Sequence, residues 1–266
     1  MPLRLEPSFR ERLAAADHPL VGMWVCSGSP LLAEVAAGSG LDWLLIDMEH
    51  SANTLESVLL QLQAVAAYPV TPLVRAPFND AVAIKQILDL GAQNLIVPMV
   101  SSAAEAEAAV AATRYPPLGV RGVGSALARS ARWNRVDRYL QESAQHTSLT
   151  VQIETSAGVE AAADIAAVDG VDAVFVGPSD LSASMGHLGQ QTHPQVVAAV
   201  ETVFAAVKAA GKPVGVNAFD PAAADAYLAA GADFVAVGAD VALLARASEG
   251  LAARFLGADG SARASY

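Results

Sequence analysis

Leu149-Thr-Val-Gln-Ile-Glu154 is followed, after a helical stretch, by Gly170-Val-Asp172 and then by Ala173-Val-Phe-Val-Gly177. Both outer segments are short apolar runs of strand length that end in a polar residue or a glycine. Gly170 stands where a helix closes, because glycine tolerates the left-handed backbone that ends one. The same junction recurs at Gly40-Leu-Asp42, Gly91-Ala-Gln93 and Gly231-Ala-Asp233. One strand–helix unit is therefore written repeatedly along the chain, though not as a solenoid.

Six further runs have the same character: Val21-Gly-Met-Trp-Val25, Trp43-Leu-Leu-Ile-Asp47, Pro72-Leu-Val-Arg75, Leu95-Ile-Val-Pro-Met99, Val214-Gly-Val-Asn217 and Phe234-Val-Ala-Val-Gly238. Continuous rather than alternating hydrophobicity belongs to strands covered on both faces, as in a parallel sheet wrapped by helices. Between them, Asn79-Asp80 caps a helix that runs through Leu90, and Ser101-Ser102 starts one over Ala103–Thr113 that Pro116-Pro117 stops. Eight such units predict a (β/α)8 TIM barrel, with an open doubly wound sheet as the alternative. No glycine-rich dinucleotide fingerprint follows the first strand, which weighs against that alternative and against a nucleotide cofactor. Residues 119–138 stand outside the rhythm as an arginine-rich insertion. An amphipathic C-terminal helix is expected over residues 241–256.

At 266 residues the chain has the size of one barrel of about 250 residues, so a single domain over 1–266 is expected. It is 53% hydrophobic and 16% charged, yet charges interrupt every apolar stretch before about 18 residues accumulate, so no transmembrane helix is expected. The first 18 residues are rich in charge and do not read as a signal peptide. A single cysteine, Cys26, excludes an intrachain disulfide and a multi-cysteine metal site. The net charge of −11 argues against nucleic acid or an anionic membrane as the main partner. A cytoplasmic globular protein is expected.

In such a barrel the chemistry is built at the carboxyl ends of the strands. Read in order, these ends offer Cys26 and Ser27, Glu49 and His50, Arg75, Glu154, Ser179 and Asp180, Asn217, and Asp240. Gln152 lies two residues before Glu154, on the same strand face. Glu154 and Asp180 would converge near the centre, where two ionised carboxylates repel unless a cation joins them. The three lysines, Lys85, Lys208 and Lys212, lie within helices or before the seventh strand, so none reaches the mouth. Two readings remain: a hard divalent metal with oxygen ligands, or carboxylates satisfied by loop amides. The missing lysine also argues against Schiff-base chemistry. His50 is placed for proton transfer or for a structural hydrogen bond. Arg75 offers a permanent positive fork to a carboxylate or enolate oxygen, or pairs with Glu49. The Ser179 and Asp180 amides in Gly177-Pro178-Ser179-Asp180 form a candidate anion nest. Cys26 reads as a pocket wall rather than a nucleophile.

Several segments together resemble the HpcH/HpaI aldolases: Trp43-Leu-Leu-Ile-Asp-Met-Glu-His50, Pro72-Leu-Val-Arg75, Leu95-Ile-Val-Pro-Met-Val100, Arg114-Tyr-Pro-Pro117, Gly119-Val-Arg-Gly-Val-Gly-Ser-Ala126, Val151-Gln-Ile-Glu-Thr155 and Phe175-Val-Gly-Pro-Ser-Asp-Leu181. These are metal-dependent (class II) pyruvate aldolases, and the resemblance runs from about Val21 to Phe255. It implies reversible cleavage of a 4-hydroxy-2-oxo acid to pyruvate or hydroxypyruvate and an aldehyde, as in aromatic catabolism. It implies Mg²⁺, Mn²⁺ or Co²⁺ held by Glu154 and Asp180, with Gln152 orienting the substrate or a metal water. It further implies His50 as the acid/base residue, paired with Asp89, unless a metal-bound hydroxide moves the proton. Arg75 would donate to the pyruvate carbonyl oxygen, and the Ser179 and Asp180 amides beyond Gly177 would cradle the carboxylate. Asp47 and Glu49 would lie beside the site, and the stretch Arg121–Leu127, with Val123, would close a neighbour's pocket. Asn217 stands where an apolar residue is common in the family, so a more polar aldehyde pocket is implied. The eighth helix would pack on a neighbouring subunit in a homohexamer built as a trimer of dimers.

Other readings keep the barrel and change the chemistry: a 2-keto-3-deoxy sugar acid aldolase, a malyl or citryl thioester lyase, or a phosphoenolpyruvate-using enzyme. The last two need a coenzyme A or phosphate site, for which only the insertion, with Arg121, Arg129, Arg132, Arg135 and Arg138, offers basic residues. A nucleic-acid surface on that insertion is the reading from a different class. Arginines that pair across subunits and steer anionic substrate account for the same residues in an acidic protein.

Overall fold

A computed structural model describes residues 3–257 of the chain. Residues 1–2 and 258–266, which the single-domain expectation includes, lie outside the described residues. A short helix, α1 (Phe9–Ala15), precedes eight strands: β1 (Leu20–Val25), β2 (Trp43–Asp47), β3 (Thr71–Arg75), β4 (Asn94–Val97), β5 (Ser148–Ile153), β6 (Ala173–Val176), β7 (Val214–Asn217) and β8 (Phe234–Ala239). The strands pair in parallel in sequence order, and β8 closes on β1, so the sheet is a closed (β/α)8 barrel. The helices between them are α2 (Pro30–Ala37), α3 (Leu55–Ala64), α4 (Ala81–Asp89), α5 (Ala103–Thr113), α6 (Tyr139–His146), α7 (Ser156–Glu160), α8 (Ala162–Ala167), α9 (Pro178–Ser184), α10 (Pro194–Ala209) and α11 (Pro221–Ala229). A last helix, α12 (Asp240–Leu256), follows the barrel.

Local signals set these boundaries. Ser29, Asp80, Ser102 and Asp220 each accept a backbone hydrogen bond as N-caps, and prolines at 30 and 221 occupy first helical positions where no amide is needed. The expected run through Met99 stops at Val97, because Pro98 cannot continue the ladder and Met99 turns into the left-handed region at φ 58°.

Two apolar layers result. Outside, the alternate strand residues pack on the helices in one continuous core that includes Val151, Ile153, Val174 and Val216. Inside, Trp24, Trp43, Phe175 and Phe234 fill the barrel, and Phe9 of α1 stops its amino-terminal end with its ring 5.2 Å from Phe234 and 5.8 Å from Trp43. Large rings on one strand demand small residues on the next. A Cβ at Gly22 would fall 2.3 Å from Trp43, and one at Gly215 would fall 2.4 Å from Phe234. The inward face of β5 is different. Thr150 and Gln152 lie in register with the inward Ile96 and Phe175, so this face is polar and leads up the barrel to Glu154.

The insertion folds back toward the amino-terminal end, where Val136 bridges Leu3 and packs with Tyr115, Ala131 and Tyr139. Of α12 only Asp240 is buried, while Leu244, Leu251 and Phe255 form an exposed apolar stripe. Among the described residues no helix is long and apolar enough to cross a membrane.

Candidate active site

Arg75, the last residue of β3, organises the barrel mouth and is only 5% exposed. Its Nε donates to Asp47 Oδ1 at 2.7 Å, and its Nη1 is ion-paired with Glu49 Oε2 at 2.8 Å. The guanidinium lies 4.2 Å from the centre of the Trp24 ring. Strands β1, β2 and β3 thus hold one cation from three sides, and Nη2 makes no hydrogen bond among the described residues. Burial opposes the charge, but Asp47 and Glu49 outweigh it and hold the pKa above the ordinary arginine value. Asp47 also accepts the Glu49 and His50 amides at 3.0 and 3.2 Å, which fixes the turn that presents those residues. Burial pushes Glu49 above the ordinary carboxylate range, with Arg75 pulling the other way.

Glu154 emerges just past β5 and is 1% exposed. Its Oε1 accepts the Met99 amide at 2.7 Å, which the left-handed turn after β4 aims into the mouth. Its Oε2 accepts from Gln152 Nε2. Gly177 borders the pair so closely that a Cβ there would fall 2.6 Å from Glu154 Oε2. Burial, with some repulsion from Glu49 and Asp180, pushes Glu154 up to about 7. The oxygen of the same Gln152 amide, Oε1, is buried with no hydrogen-bond partner among the described residues. The described residues include no cluster of three His, Cys, Asp or Glu side chains of metal-binding geometry.

The remaining expected residues fall as follows. Asp180 is exposed in the first turn of α9, near enough to Glu154 to raise its pKa. The Ser179 and Asp180 amides open the same helix, where no side chain caps them. His50 is exposed, with Nε2 3.9 Å from Glu49 Oε1. Asn217 does not simply face a pocket: its Oδ1 accepts the Trp24 indole N–H at 2.7 Å. It also lines a cleft of about 490 Å³ beside the mouth, with Pro178, Gln191, Thr192 and Phe219. Asp240 ties β8 to β1 by accepting the Cys26 and Ser27 amides at 2.8 and 3.1 Å. Burial pushes the Cys26 thiol up to about 12, which suits a pocket wall.

Within this chain Asp89 is not beside His50. Helix α4 begins near the mouth and runs back along the barrel wall, so Asp89 in its last turn reaches the opposite end. There its Oδ1 binds Arg121 Nη2 at 2.8 Å. Arg121 is buried and stacks on Tyr115, whereas Val123 is exposed.

Two contributors escaped sequence reasoning. Trp24 lies on the first strand and meets Arg75 only after barrel closure, so nothing local marks it. Met99 was legible in principle, because Pro98 ends the strand just before it.

Polar groups gathered at the carboxyl ends of eight parallel strands, with an anchored arginine and a buried carboxylate, define the class: a (β/α)8 barrel with an enzyme-type mouth. Residues 20–247 match the model of the HpcH/HpaI aldolase/citrate lyase family, and the chain belongs to that family. It is 53% identical over 251 residues to the 4-hydroxy-2-oxo-heptane-1,7-dioate aldolase of Salmonella arizonae, covering 94% of this chain and 95% of the relative. A solved HpcH/HpaI aldolase/citrate lyase family protein from Burkholderia cenocepacia is 42% identical, with a TM-score of 0.88 over 92% of this chain and 97% of that one. An HpcH/HpaI aldolase from Desulfitobacterium hafniense is 30% identical, with a TM-score of 0.85 over 97% and 100%.

Proposed function

We propose that this protein is a class II aldolase that reversibly cleaves 4-hydroxy-2-oxo acids to pyruvate, or hydroxypyruvate, and an aldehyde. The observation that carries this reading is Glu154: a buried carboxylate that has, among the described residues, no cationic partner in hydrogen-bond range and lies beside the unpartnered Gln152 Oε1. Such a donor set fits a hard divalent ion, Mg²⁺, Mn²⁺ or Co²⁺, that Glu154 and Asp180 would hold and Gln152 would help orient. Two carboxylates leave the other positions of such an ion to water and substrate. Once bound, the ion supplies Lewis-acid polarisation of the 2-oxo acid.

The chain's own residues do the rest. Arg75, through its free Nη2, donates to the 2-oxo oxygen and stabilises the charge that builds there as the C3–C4 bond breaks. It is already held by Asp47, Glu49 and Trp24, so little reorganisation is needed in the transition state. The Ser179 and Asp180 amides receive the substrate carboxylate. His50 takes the proton of the 4-hydroxyl in cleavage and delivers it to C3 of the resulting enolate to give pyruvate, and it runs the same two transfers in reverse in synthesis. The cleft beside Asn217 receives the aldehyde half.

The exposed stripe of α12 packs on a second copy in this reading, within a homohexamer. The Val123 loop then closes a neighbouring mouth, and the His50–Asp89 pairing is made between copies. A cytoplasmic location fits a chain with a single, half-buried thiol.

Pyruvate release from a racemic 4-hydroxy-2-oxo acid, coupled to lactate dehydrogenase, tests the reaction. Activity should vanish with EDTA and return with Mg²⁺, Mn²⁺ or Co²⁺. Turnover indifferent to EDTA removes the metal from the chemistry, and no turnover with any of these metals overturns the assignment.

A further inference from the structure

The amino-terminal end of the barrel carries a second cavity, far from the mouth, of about 420 Å³, with a wall part apolar and part charged. Its wall includes the starts of β3 and β4, the α1 region with Glu6 and Arg12, and Arg129 and Arg132 from the insertion. Arg129 Nη1 donates to the Leu90 carbonyl at 2.9 Å, at the end of α4, and Arg132 Nη1 donates to the Arg129 carbonyl at 2.5 Å. Both Nη1 atoms lie 2.8 Å from the point a Cβ on Gly91 would occupy, so the two guanidinium groups sit side by side over the Gly91 backbone.

Neither arginine has a carboxylate within 4.0 Å among the described residues, although both are half-buried. Among the described residues Glu6 is the single acidic one on the wall, and it pairs with neither. Each guanidinium has five N–H donors and spends one, which leaves four on each without a partner among the described residues, on side chains that line the cavity. Burial lowers both pKa values, and Arg132 lowers that of Arg129 further, to about 10. Two like charges brought together in a protein of net charge −11 are an arrangement that a bound anion completes.

We propose that this cavity is a binding site for a small organic dianion, a carboxylate or tetrahedral oxyanion, bridged by Arg129 and Arg132 with Arg12 at the rim. A cavity of about 420 Å³ is larger than a bare oxyanion needs, so the ligand carries a carbon skeleton or ester group beyond its charged head. The site does not depend on the aldolase reading, because it shares no residue with the mouth.

Calorimetric titration of the metal-free, full-length protein with sodium sulfate, and separately with succinate, tests this at ionic strength matched by sodium chloride. Saturable binding of at least one of the two, at one site per chain, is expected, and the tighter probe identifies the head group. Arg132→Gln should weaken it about tenfold or more, through loss of a charge-assisted hydrogen-bond pair. Arg12→Gln, at an exposed position, should weaken it about threefold and serves if Arg132→Gln does not fold. Arg75→Lys should bind as wild type. No saturable binding of either probe overturns the proposal, as does binding that Arg75→Lys abolishes and neither floor variant changes. So does an Arg132→Gln protein whose assembly mass falls in the absence of added anion, since a neighbouring chain would then be the occupant.

Discussion

The two ends of the barrel are opposites in charge. At the mouth Asp47, Glu49 and Glu154 face one arginine, with Asp180 near Glu49 and Glu154, and the excess is negative. At the floor Arg12, Arg129 and Arg132 share a wall with one glutamate, and the excess is positive. Neither imbalance is needed to hold the fold, which rests on the two apolar layers between them. A buried charge without a partner is destabilising, so both ends are arranged for something that binds, a cation above and an anion below.

The largest expected effect lies at the mouth. Glu154→Ala should lower chelator-sensitive pyruvate release by more than about 10³-fold, because several kcal/mol of Lewis-acid stabilisation is lost. Its circular dichroism should stay native; full activity would remove Glu154 from the site. Arg75→Lys keeps the charge but loses the fork anchored on Asp47, and kcat should fall about 10²- to 10³-fold, or ~3–4 kcal/mol. A wild-type rate would mean that charge alone suffices.

The metal-free protein offers a pH test of the same imbalance. Glu154 has its folded pKa raised from 4.5 to about 7, so the folded state binds more protons than the unfolded state between those values. The raised pKa therefore costs stability progressively as pH climbs from about 4.5 to 7, and fully above. Glu154→Gln removes the cost and should gain on wild type across that window, by up to about 3 kcal/mol in urea denaturation with EDTA present. A difference independent of pH would show that Glu154 titrates normally.

Smaller effects sharpen the contrast. His50→Ala should slow exchange of pyruvate C3 protons with solvent deuterium by about tenfold or more, and an unchanged rate would take His50 off the proton path. At the floor, Arg132→Gln should leave kcat within about twofold of wild type, since substitutions remote from the chemistry seldom alter its barrier. A large loss there would couple the two ends.

Much of this molecule is determined by its sequence. The unbroken apolar runs, the glycine junctions and the caps at Asp80 and Ser102 specify eight strand–helix units, because periodicity and capping act over a few residues. Glu154, Asp180, Arg75 and His50 were legible as mouth residues for the same reason: strand ends in a parallel barrel share one face. Four contacts were decided only when the chain closed on itself. Trp24 came under Arg75 because β1 lies two strands from β3 in the barrel, and Asn217 was drawn to Trp24 because β8 alone separates β7 from β1. Asp89 went to Arg121 because a helix nine residues long carries its end away from the strand tip that precedes it. The two floor arginines met over Gly91 for a like reason, as an insertion about 40 residues later in the chain folded back beneath the barrel. Local rules place a residue at an end of its strand or helix, and tertiary packing chooses the neighbours it meets there.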